Sequence, residues 1–200
     1  MTTHKTNTPA RMECFSDAVF AILMTIMVLE LRPPHGSSLA ELRSVFPTFL
    51  SYVLSFTYLI IYWNNHHHLL RTVREPTAKI MWANAHLLFW LSLIPFATAW
   101  MGEHHRETTP AAIYGLVLLA CACAWLPLQR AIISAEGDTP LLSKALGRDL
   151  KGKISPVIYV TAIAAAFISP WISYVLYTAV ALMWILPDPR IESHLKSVQE

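Results

Sequence analysis

The apolar positions of this chain run together in long blocks and do not alternate with polar ones at a regular short period. Met12–Leu31 is almost unbroken after its first turns and stops at Pro33-Pro34, where ring and missing N–H groups end a helix. Val45–Leu70 is a second block, rich in aromatic residues. Ile80–Met101 is a third, closing near Gly102, and Ala111–Leu128 is a fourth, with Pro127 near its end. A helix needs roughly 20 residues to cross ~30 Å of hydrocarbon, so each block predicts one membrane span. From Ile154 to Leu186 there is no charged residue. One helix of that length would measure ~50 Å, too long for a single crossing. Ser169-Pro170, near its midpoint, predicts a hairpin between spans at 154–169 and 170–186. The pattern therefore predicts an all-α integral membrane protein with six transmembrane helices, forming one domain over residues 1–200. The longest connector, 129–153, contains Gly137-Asp138, Pro140 and Gly147 and reads as solvated, with a short surface helix around Pro140–Ala145.

Composition agrees with this reading. Apolar residues make up 54% of the chain and charged ones 14%, against about 25% charged in soluble domains. The first ten residues, MTTHKTNTPA, lack the apolar core of a signal peptide, so the first apolar helix is expected to remain in the protein. Of the 15 lysines and arginines, only Arg32, Arg43 and Arg106 fall on one side of the six-span arrangement. The positive-inside rule then places both termini in the cytoplasm. No basic block or basic-aromatic patch points to nucleic acid. Cys14, Cys121 and Cys123 lie inside apolar segments and are expected as small helix-packing residues, not as a disulfide framework.

The chain offers little to enzyme chemistry. It has no G-x-S-x-G, phosphate-binding loop, G-x-G-x-x-G or C-x-x-C. Its six glycines are scattered singly, so a T-V-G-Y-G carbonyl filter is absent as well. The run Asn64-Asn65-His66-His67-His68 invites a metal reading, but neighbours on a helix sit ~100° apart, and three consecutive histidines cannot face one ion. His104 and His105 fall on the opposite side of the membrane. No resident metal and no cofactor are expected.

The first span carries the strongest functional signal. Ile22, Ile26 and Leu29 are spaced i, i+4, i+7 and form one stripe, which Phe15 and Ala18 extend and Thr25 borders. Asp17 lies ~140° around the helix from Ile22 and points away from the stripe. An ionisable residue near membrane depth normally faces the bundle interior and finds a partner. The candidates are His66 on the second span and Asn84 on the third, with Arg11 and Ser16 nearby. Trp63, His66 and Asn84 are expected toward the same membrane face as Asp17.

Arg11, Phe15-Ser16-Asp17, the following Ala-Val-Phe-Ala-Ile and Val28-Leu29-Glu30-Leu31 resemble the signature of the transmembrane protein 175 family of potassium channels. Trp63-x-x-His66-His67 and Ser92-Leu93-Ile94-Pro95-Phe96-x-Thr98 add to the likeness, which extends over essentially the whole chain. It is to the prokaryotic members with a single six-helix unit. The resemblance implies a homotetramer in which the first helix of each subunit lines a central pore. It also implies that a ring of large aliphatic side chains replaces a carbonyl filter. Carried over by position, the narrowest ring falls on Ile22, with further rings at Ile26 and Leu29 and a role for Thr25 in cation selection. Arg11, Phe15, Ser16, Asp17, Trp63, His66, His67 and Asn84 correspond to a network that anchors the pore helix within its subunit. K+ is the implied permeant ion, with modest preference over Na+; Na+, Cs+ and H+ are further candidates. The implied location is the plasma membrane of a prokaryote. Ala18 stands where glycine is frequent in the family, and Leu23-Met24 and Met27 replace other apolar residues, without touching the stripe. Two other readings compete with the channel. One is a proton-coupled secondary transporter using Asp17 and His66; the other is a non-catalytic scaffold or histidine-metal protein.

Overall fold

The structure, a computed structural model, describes residues 8–34, 36–136 and 150–185. Every regular element among them is helical: α1 (Thr8–Leu29), α2 (Leu39–Ser44), α3 (Phe46–Leu70), α4 (Ala78–Leu91), α5 (Ile94–Glu103), α6 (Thr108–Glu136), α7 (Leu150–Ala166) and α8 (Pro170–Ile185). Four helical stretches are long and apolar enough to cross a membrane: Pro9–Leu29, Phe46–Leu70, Ala78–Glu103 and Thr108–Ala135. Pro170–Ile185 is a shorter apolar helix. The protein is a helical membrane protein.

The boundaries depart from the sequence pattern where proline chemistry and capping intervene. The third block is two helices, α4 and α5, joined at Ser92-Leu93. Pro95 has no N–H for the Leu91 carbonyl, and its ring crowds that carbonyl, so the turn before it opens. The fourth block does not stop at Pro127. α6 runs on to Glu136 with Gln129, Ala131 and Ile132 buried, because packing on its neighbours outweighs one lost backbone bond. The 129–153 connector is correspondingly shorter than expected, and its proposed short helix lies outside the described residues, as does the Leu186 end of the last block. α2 was not anticipated. Ser38-x-x-Glu41 is its sequence signal: Ser38 Oγ accepts from the Glu41 amide at 3.3 Å, capping the first turn. The break before Pro170 falls where expected. The Ser169 amide returns to the Ala165 carbonyl at 2.9 Å, and Pro170 opens α8.

α6 is the centre of the bundle, packing against α4, α5, α7 and α8, while α3 packs on α5 and α8. In lipid, helices associate by close packing and interhelical hydrogen bonds, which favours small residues at their contacts. Ala111, Ala124 and Ala131 of α6, Ala162 and Ala166 of α7, and Ala181 of α8 are all buried. Gly115 lets Tyr177 reach across: a Cβ there would run into Tyr177 Oη, which donates to the Ala111 carbonyl at 3.0 Å. Tyr58 Oη donates to the Tyr177 carbonyl at 2.6 Å, and Ser173 Oγ to the Ala162 carbonyl at 2.7 Å. Ser55 Oγ lies 2.9 Å from Tyr114 Oη and 2.7 Å from Thr98 Oγ1, which lies 2.6 Å from the Ile94 carbonyl. One order of donation, Tyr114 to Ser55 to Thr98 to that carbonyl, satisfies every hydroxyl. Cys121 is buried as expected for a packing residue, but Cys14 and Cys123 are exposed. Among the described residues, no other helix covers the faces on which they lie.

Candidate pore helix and its polar anchor

α1 lies on the outside of the bundle, against α3, α4 and α5. One face carries Met12, Ser16, Phe20, Leu23 and Met27, all buried. Their spacing of three or four keeps them on a single stripe. The other face is largely uncovered among the described residues: Phe15 is 61% exposed, Ile22 54%, Ile26 41% and Leu29 79%. At ~100° per residue these four positions fall within about 60° of one another. The aliphatic stripe seen in the sequence is thus an uncovered apolar strip along the whole helix. Thr25 is exposed beside it, and its hydroxyl donates to the Ile22 carbonyl at 2.9 Å. That leaves only oxygen lone pairs available outward, so the group can accept or coordinate but has no free proton to donate.

The buried face ends in a polar chain linking three helices. Ser16 Oγ donates to the Met12 carbonyl at 2.9 Å and accepts from Asn84 Nδ2 at 2.9 Å. Asn84 Oδ1 stands 2.7 Å from His66 Nε2. Because the amide oxygen can only accept, His66 carries its proton on Nε2. Nδ1 is buried with no hydrogen-bond partner among the described residues. The His66 ring also packs on Phe20, with centroids 5.4 Å apart. Ser16 and Asn84 bring no charge to this link, which suits a site at membrane depth where neutral hydrogen bonds cost far less than a charge.

Of the residues expected near it, Asp17 bonds to Trp63 and not to His66 or Asn84. It sits one residue, ~100°, around from Ser16, and its Oδ1 accepts from Trp63 Nε1–H at 3.0 Å. Its bond to the bundle therefore comes from an indole, and Ser16 provides the link to Asn84 and His66. Trp63 in turn stacks on His67, with centroids 6.0 Å apart and planes 28° from parallel. His67 Nδ1 lies 3.0 Å from Glu13 Oε1. Glu13 was not singled out in the sequence, although its i, i+4 relation to Asp17 places both carboxylates on one flank. Arg11 is exposed, and among the described residues none of the anchoring groups bonds to it. Phe15 faces outward with Ile22 and takes no part in the network.

At the opposite end of α1, Glu30 and Arg32 border a cavity of about 530 Å³ together with Phe49, Glu103 and His105.

A model of the family described as the endosomal/lysosomal potassium channel TMEM175 matches residues 11–95, from the start of the polar anchor to Pro95. A potassium channel of Chryseobacterium sp. (strain P1-3) is 50% identical over 189 residues, 94% of this chain and 98% of that protein. The crystal structure of a lysosomal potassium-selective channel TMEM175 homolog from Chamaesiphon minutus superposes with a TM-score of 0.80 at 26% identity. It covers 90% of this chain and 97% of that one. The human endosomal/lysosomal proton channel TMEM175 is 30% identical over 106 residues, 21% of its length. A chain that shares half its positions with one such relative over nearly all of both lengths, and this arrangement of helices with another, belongs to the TMEM175 family.

Proposed function

We propose that this chain is one subunit of a potassium channel and that its first helix lines the pore. The observation that carries the proposal is the uncovered strip of Phe15, Ile22, Ile26 and Leu29 on a helix whose other face is pinned by a polar network. A span that only faced lipid would have no need for an anchored orientation. The bacterial relatives named as potassium channels support the same conclusion. In this reading the whole chain is one six-span domain in a prokaryotic plasma membrane, with both termini in the cytoplasm and four copies around a central axis.

Four Ile22 side chains meeting on that axis exclude water and close the neck by dewetting. When they part, a partly dehydrated cation passes. K+ gives up hydration more cheaply than Na+, so an apolar neck favours it, and modestly, because no protein oxygen replaces the lost water at Ile22. The outward lone pairs of Thr25, one turn away, supply partial compensation. Glu30 and Glu103, both bordering the cavity near the far end of α1, favour cations over anions at that mouth. The human relative named as a proton channel adds H+ to the ions this pore is proposed to pass.

Replacing Ile22→Asn and measuring K+ and Na+ flux in reconstituted liposomes tests the proposal. A wetted neck should raise flux roughly tenfold, the equivalent of about 1.4 kcal/mol of barrier, and erode K+ preference. Unchanged K+ and Na+ flux would remove Ile22 from the constriction. Asp17 and His66 make no bond to each other, which leaves the proton-coupled transporter without its carrier pair in this conformation.

A further inference from the structure

Glu13 and Asp17 stand one turn apart on the flank of α1 that faces α3, and His67 of α3 reaches toward both. One donor atom from each of the three lies within 4.8 Å of the other two. His67 Nδ1 is buried and makes no hydrogen bond, although Glu13 Oε1 is only 3.0 Å away. The indole of Trp63 holds the other two groups in place, donating to Asp17 and stacking on His67.

We propose that Glu13, Asp17 and His67 form a binding site for a divalent cation of the zinc class, which bridges α1 to α3. Two carboxylates balance the charge of a dication. An imidazole nitrogen in the set favours a borderline metal over Mg2+ or Ca2+, which take oxygen. Three protein ligands leave a fourth position for water, as in open zinc sites. Zinc–ligand bonds of ~2.0–2.2 Å need donors roughly 3.3 Å apart. The Glu13–His67 pair is already within that spacing, and torsion of the long Glu13 side chain can close the remainder. All three residues are only partly buried, so the ion can enter from solvent. The histidine run contributes one ligand here, not three, and the carboxylates come from a different helix. Occupancy would fasten α1 to α3 roughly one and a half to two and a half turns before Ile22 and restrain the neck; this effect rests on the pore reading, whereas the binding does not.

The test uses tag-free, chelator-stripped protein in detergent, titrated calorimetrically with ZnCl2. One equivalent per chain is expected, weakened at least about tenfold in Glu13→Gln and in His67→Gln. Cobalt provides a check that misfolding cannot imitate. With Cys14→Ser as background, His67→Cys should give a thiolate-to-cobalt charge-transfer band that the background lacks. No stoichiometric binding, wild-type affinity in both Gln variants, or no new band would each overturn the site. In liposomes, zinc on the cytoplasmic side should slow K+ flux in the wild type and not in Glu13→Gln. Unchanged flux in zinc-loaded wild type would overturn the restraint, whereas no flux even without zinc is a failure of the channel reading, and calorimetry still decides the site.

Discussion

Asn84 is the link on which the anchoring of α1 depends most, and Asn84→Ala shows how much. The substitution removes both of its hydrogen bonds, at 2.9 Å to Ser16 and 2.7 Å to His66. Ser16 is not orphaned, because its hydroxyl still donates to the Met12 carbonyl. His66 is: its Nε2–H would be buried with no acceptor, and Nδ1 already has no partner among the described residues. An orphaned buried donor costs about 1–3 kcal/mol, while interhelical bonds in membranes average nearer ~0.6 kcal/mol. Together these give roughly 1–2 kcal/mol for the loss. At ~2–4 °C per kcal/mol for a chain of this size, the melting midpoint should fall by roughly 2–8 °C. Intrinsic tryptophan fluorescence of the detergent-solubilised protein reads this directly. Ser16→Ala should shift the midpoint less, because of its two bonds only the one from Asn84 joins helices, the other being to the Met12 carbonyl of its own helix. The double variant should melt no lower than Asn84→Ala by more than about 1 °C, since both substitutions break the same link. A midpoint for Asn84→Ala within about 1 °C of wild type, or fully additive shifts, would refute the account of the chain as one connected anchor.

Thr25→Val keeps the shape of the side chain and removes its oxygen. K+ flux should persist while the K+/Na+ ratio measured in bi-ionic conditions falls, and Thr25→Ser should restore it. Gly115→Ala places a methyl against Tyr177 Oη and disrupts its bond to Ala111. Overpacking of this kind costs typically about 1–3 kcal/mol, so the melting midpoint should drop, and adding Tyr177→Phe should recover part of the loss.

The apolar blocks and their proline punctuation determined by themselves that this is a helical membrane protein. Hydrocarbon length and backbone satisfaction leave few other solutions for such runs. Periodicity alone also isolated Ile22, Ile26 and Leu29 as a stripe and turned Asp17 away from it. The stripe's exposure was not legible, because a stripe shows which residues share a face and not whether a neighbouring helix covers it. Two local features were misjudged for a similar reason. Pro127 reads as a stop, yet α6 continues because the contacts beyond it outweigh one lost hydrogen bond. Pro95 reads as an ordinary residue within a long block, yet it divides α4 from α5.

The partner assignments needed the tertiary structure most. Ser16 and Asp17 are adjacent in sequence, but a rotation of ~100° sends one to Asn84 and the other to Trp63. Which of two neighbouring polar groups meets which helix depends on how α1 is turned against α3 and α4, and that angle is set by packing. Glu13 illustrates the same limit. In sequence it is one more charge near a helix start; beside Asp17 and His67 it completes a set of three metal-ligating groups that only the docking of α1 on α3 brings together.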